Sequence, residues 1–76
     1  MITVTGTVVA SVPAFKGDGW RLAVRCTGTG IVTEFYTRPR APIARDAAQQ
    51  PRGRVVTLTG TKHGNRRAFA LDGIAW

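Results

Sequence analysis

The sequence predicts an all-β domain: five strands closed into a small Greek-key barrel, with one short helix or irregular segment between the third and fourth strands. Three observations carry this. Apolar and polar residues alternate with period two over several stretches, the pattern of strands with one buried face. Clusters of Gly and Pro punctuate the chain at short intervals, as turns between strands require. Only one stretch is rich enough in Ala to favour a helix. The 76 residues make a single domain, 1–76. A chain this short buries only about 60% of its unfolded surface, so an oligomer is a reasonable source of extra stability.

The first strand runs from Ile2 to Val12. Ile2, Val4, Val8, Ala10 and Val12 fall on one face, and Thr3, Thr5, Thr7 and Ser11 on the other. Gly6 interrupts the row and marks a bulge or sharp coil, as small closed barrels need. The turn "PAFKGDG" follows. In the second strand, "WRLAVRCTG", Leu22, Val24 and Cys26 point one way and Arg21, Ala23, Arg25 and Thr27 the other. Cys26 thereby joins the core. "TGTG" is a tight connection to the third strand, Ile31 to Arg38, which Pro39 and Pro42 end because proline cannot donate to a ladder. "APIARDAAQQ" is the helix candidate, with Pro42 suited to the first turn and Pro51 and Gly53 stopping it. The last third, "RGRVVTLTGTKHGNRRAFALDGIAW", reads as a strand, a basic hairpin loop and a closing strand. Val56, Leu58 and Gly60 alternate with Val55, Thr57 and Thr59, and Phe69 and Leu71 resume the alternation beyond the loop.

Three strands, a short helix, then a hairpin is the order of the OB-fold. That fold binds oligonucleotides on the face of its second and third strands, helped by the first-to-second and fourth-to-fifth loops. An SH3-like barrel competes, but normally lacks a helix at that place.

Composition narrows the function. One cysteine excludes an internal disulfide, fits a reducing compartment and hence the cytoplasm, and leaves no Cys–His cluster for zinc. The N-terminus lacks the basic and apolar regions of a signal peptide, and no apolar run reaches the roughly 20 residues that span a membrane. His63 and the carboxylates of Asp18, Glu34, Asp46 and Asp72 are scattered, with no nucleophile beside a base, so neither an enzyme nor a cofactor or small-molecule substrate is expected. Lys and Arg total 11 against 4 Asp and Glu, a net charge of +7, and nine of the 11 are Arg. Arginine grips phosphate bidentately and stacks on bases. A positive loop on a rigid scaffold points to a polyanion.

The chain resembles the bacterial single-stranded DNA-binding proteins, in particular their actinobacterial type. "ITVTGTVVASVPAF" looks like that family's first strand and "GWRLAVRCTG" its second. "TEFYT" is similar to its third-strand motif, "PIARDAAQQPRGRVVTLTG" to its helix, basic-glycine turn and fourth strand, and "RRAFALDGIAW" to its fifth. Nearly the whole chain is covered. Three features depart from the family: only "TGTG" stands for a long second-to-third loop, no acidic tail follows Trp76, and Arg40 and Ala41 stand where an aromatic often follows "FYT". These departures resemble a minimal, tail-less form or a PriB-like primosomal replication protein. The resemblance implies single-stranded DNA as partner, bound with little sequence preference, a homo-oligomer (dimer or tetramer), and a role in replication, recombination or repair; the alternatives are an RNA-binding module and a non-enzymatic protein-interaction module such as a replication or phage accessory factor.

Binding of single strands needs cations along the backbone and aromatics on which bases stack. The candidates are Lys16 and Trp20 around the first turn, Arg21 and Arg25 on the second strand, and Phe35, Tyr36 and Arg38 on the third. Arg40 follows, and Lys62, Arg66 and Arg67 stand on the last hairpin. Phe15 and Trp20 alternatively close the barrel end. Phe35 carries a conflict: alternation with Ile31 and Thr33 faces it to the core, whereas the resemblance implies a stacking ring. At least one of Phe35 and Tyr36 is expected to stack. The first strand, long and rich in Thr and Val, is expected to pair with a second copy as an edge.

Overall fold

The computed structural model describes residues 1–13, 19–38, 41–64 and 67–76. Its first strand, β1 (Ile2–Pro13), serves two neighbours. The first half pairs antiparallel with β4 (Val55–Thr61), from Ile2 opposite Gly60 to Thr7 opposite Val55. The second half pairs antiparallel with β2 (Trp20–Cys26), from Gly6 opposite Cys26 to Pro13 opposite Trp20. β2 pairs antiparallel with β3 (Val32–Tyr36), and β3 runs parallel to β5 (Phe69–Ala75), with Phe35 opposite Phe69. β5 returns antiparallel to β4, closing the barrel in the order β1-β2-β3-β5-β4. One helix, α1 (Pro42–Ala48), lies between β3 and β4. This is an OB-like fold with its strands and helix where the alternation and punctuation put them; β3 alone is clearly shorter than expected.

Two devices let so short a chain close. At Gly6, a Cβ would stand 2.0 Å from the Arg25 carbonyl oxygen, so only glycine allows β1 to lie this close to β2. Of the bulge or sharp coil expected at Gly6, the bulge lies a little further on, between Val8 and Ala10, while Gly6 itself is where β1 passes from β4 to β2. Val9 is the extra residue there, and it reverses the facing of everything after it. Val8 is buried opposite Val24, whereas Ser11 now stands opposite Leu22 on the inner side. Ala10 and Val12, expected inside with Val8, turn outward, and Val12 is exposed. The second device is in β5, where Thr59 faces Gly73 but Gly60 faces Leu71. Asp72 is left over, and its carboxylate accepts a 2.6 Å hydrogen bond from the Thr61 hydroxyl.

The core is built from Val8, Leu22, Val24, Phe35, Val56, Leu58 and Leu71, capped by Ala47 of α1. Phe35 is its largest member, 1% exposed, and its ring lies 6.0 Å from that of Phe69, tilted by 37°. Gly60 makes room for it, since a Cβ there would meet the Phe35 ring at 2.8 Å. Under the helix, buried Gln50 donates to the Asp46 carbonyl (3.1 Å) and accepts from Arg54 Nη1 (3.2 Å). Both ends of its amide are thus satisfied, as burial of a polar group demands.

β1 is therefore not a free edge along its length. Its two halves are taken by different strands, and the Gly53 N–H and Arg54 carbonyl bond the backbone of Val8 between them (2.8 and 2.9 Å).

Candidate nucleic-acid interface

Strand alternation sorts β2 and β3 into two rows. Leu22, Val24 and Phe35 go inward. Arg21, Ala23 and Arg25 go outward on β2, opposite Tyr36, Glu34 and Val32 respectively on β3. Because of the Val9 bulge, Ala10 and Val12 join the same outer face, opposite Ala23 and Arg21.

This face is grooved. One depression of about 170 Å³ is lined by Ala10, Val12, Arg21, Leu22, Ala23 and Glu34. A second of about 390 Å³ is lined by Val32, Thr33, Glu34, Arg67 and Phe69. Glu34 borders both, the first lying towards the second half of β1 and the second towards the hairpin residue Arg67. Arg21 Nη2 lies 3.6 Å from Glu34 Oε2, with both side chains 47% exposed. That distance is longer than a tight charge-assisted hydrogen bond. An exposed pair of this kind is worth about 0–1 kcal/mol, so a ligand can engage either partner.

The structure brings Arg21, Arg25 and Tyr36 together on this face and sets Arg67 at its far end. Arg38 is exposed just beyond β3, and Lys62 is exposed just beyond β4. Lys16, Arg40 and Arg66 lie outside the described residues, as does Phe15. Two expected members leave the face. Phe35 is a core residue, so the conflict resolves as the alternation indicated, and Tyr36 is the ring on the outer side. Trp20 belongs to the inner row at the barrel end. Its backbone exchanges hydrogen bonds with Thr37, from Trp20 N to the Thr37 hydroxyl (2.8 Å) and from Thr37 N to the Trp20 carbonyl (2.9 Å). Its indole N–H donates to the Ser11 hydroxyl (2.9 Å). The ring packs against the core and walls a cleft with α1, so it clamps the barrel rather than lining the groove.

Sequence reasoning missed three contributors. Ala10 and Val12 were hidden by a bulge that no glycine marks. Glu34 read as a scattered carboxylate, although its alternation with Phe35 already placed it on the outer face. Cys26, expected in the core, is half-buried at the end of β2. The Thr29 hydroxyl first, and then the backbone N–H groups of Gly28 and Thr29, favour its thiolate and hold the thiol below its ordinary pKa, against the opposing effect of burial.

Among the described residues, no cluster of three or more His, Cys, Asp or Glu is placed to hold a metal ion. None of the described helices is long and apolar enough to cross a membrane. No family model, curated protein or solved structure matches the chain. The class that the fold defines is a small OB-like barrel.

Proposed function

We propose that this barrel binds single-stranded DNA without catalysing a reaction, in replication, recombination or repair in the cytoplasm. The observation that carries the reading is the shared outward face of Arg21, Arg25 and Tyr36, grooved and ending at Arg67. Arginines neutralise backbone phosphates, and an aromatic ring offers a stacking surface that every base can use. The net charge of +7 draws a polyanion to the surface from any direction. The ordered resemblance to single-stranded DNA-binding proteins supports the same reading.

Self-association is part of the proposal. The outer face of β1 and β4 carries Thr3, Thr5, Thr57 and Thr59, with Thr5 and Thr57 hydroxyls 2.9 Å apart. Beside them Val55 is 57% and Trp76 62% exposed. None of these six side chains is charged, so two +7 copies meet there with less repulsion than across the arginine-bearing face.

The test is fluorescence anisotropy of a labelled oligothymidylate, because neither tryptophan lies in the groove. Saturable binding at low salt is expected, with an oligouridylate competing as the RNA arm. Absence of binding to either strand would leave a protein-interaction module as the better reading.

A further inference from the structure

A polyanion-binding groove gains nothing electrostatically from a carboxylate, yet Glu34 stands in the middle of this one. It is shared by both depressions and is half-exposed. Its surroundings suit a small ligand with both apolar and polar surface. The 170 Å³ depression is lined by the side chains of Ala10, Val12 and Ala23 together with the Arg21–Glu34 pair. Their 3.6 Å separation leaves the pair loose enough to open onto a ligand.

A nucleobase meets that description, and one base matches the charge order. Guanine presents two parallel donors, N1–H and N2–H, on its pairing edge and two acceptors, O6 and N7, on the adjoining major-groove edge. A carboxylate accepts from the donor pair, and a guanidinium donates to O6 and N7 as in major-groove readout. Thymine instead offers one N–H flanked by two carbonyls, which a carboxylate repels. Adenine and cytosine each offer a single amino group beside an acceptor nitrogen.

We infer that Glu34 and Arg21 together read the adjoining edges of a guanine, giving this groove a preference for guanine-containing single strands. The inference rests on the single-stranded DNA reading and goes beyond it, since backbone contact and stacking alone are tolerant of sequence.

The experiment compares three labelled strands by anisotropy: an oligothymidylate, the same strand with isolated thymines replaced by guanine, and that strand with inosine in place of guanine. Each is titrated with the native chain and with Glu34→Gln. The native chain is expected to bind the guanine strand about tenfold more tightly than oligothymidylate, the scale of one bidentate base contact. Inosine, which lacks the N2 amino group, falls between. Glu34→Gln keeps the shape of the side chain, loses most of the preference and binds oligothymidylate more tightly than the native chain does. Equal binding of all three strands by the native chain overturns the inference while leaving the function standing. So does a guanine preference that Glu34→Gln retains in full, which would assign it to stronger stacking of the purine. Failure of every strand to bind overturns the proposed function and this inference with it.

Discussion

At the residue scale, two adjacent aromatics divide the labour of stability and binding. Phe35 fills the barrel centre against Leu22, which lies directly opposite on β2, and Phe69. Tyr36 is on the other side of the same strand, opposite Arg21. Replacing Phe35 by Ala is expected to cost about 3–5 kcal/mol of stability, the range for a large buried ring. Denaturant unfolding measures it. Tyr36→Ala should cost less stability than Phe35→Ala and weaken binding of single-stranded DNA by about 1–3 kcal/mol, the worth of one stacked base. A Tyr36→Ala variant that unfolds early and binds normally would show the ring to be structural. The pair also shows what one residue of alternation decides. Nothing in the composition distinguishes two neighbouring rings, but the period of two does, and Phe35 follows its strand rather than its resemblance.

At the element scale, most of the architecture was legible because strands and turns are local signals. The alternation in "VVTLTG" and "WRLAVR" places the inner rows, and Pro42 and Pro51 bracket the helix. The Val9 bulge was not legible, because Val–Val–Ala can alternate or slip with equal ease. The parallel pairing of β3 with β5 follows from barrel closure, which no local pattern encodes and only the order of strands and helix implied. The helix carries a weakness of its own. Ala41 occupies the N-cap with φ −67° and ψ 136°, a capping backbone geometry, but offers no side-chain oxygen to the first turn. The first turn also has no acidic residue to meet the positive end of the helix. Ala41→Ser should therefore stabilise the fold by about 1 kcal/mol, the usual gain from a cap. Thermal unfolding checks it, and the variant's DNA affinity should not change, since α1 lies away from the groove. An unchanged or lowered midpoint would mean that the half-buried Ala41 methyl contributes more by packing than a cap supplies.

At the scale of the whole molecule, the question is which side of the barrel meets the phosphates. Arg21, Arg25 and Arg67 border the groove, with Arg38 and Lys62 exposed at the ends of the neighbouring strands. Arg45, Arg52 and Arg54 lie instead on α1 and the turn after it, which packs against the middle of β1. Both sets attract a polyanion at long range, so affinity alone does not separate them. Counterion release does, because each phosphate contacted on a single strand contributes about −0.7 to the slope of log K against log salt. Four to six contacts give a slope of about −3 to −4 by the same rule. Removing two groove cations at once, Arg25→Ala with Arg67→Ala, should flatten that slope by about 1.4. Removing Arg45 and Arg52 should leave it close to the native value. Arg21 is left intact in this comparison because Glu34 already offsets part of its charge. All four side chains are exposed, so neither double variant is expected to unfold the barrel. Should the helix-side variant flatten the slope and the groove variant preserve it, the strand runs over α1 and the Trp20 cleft, and the β2–β3 face is left for another partner.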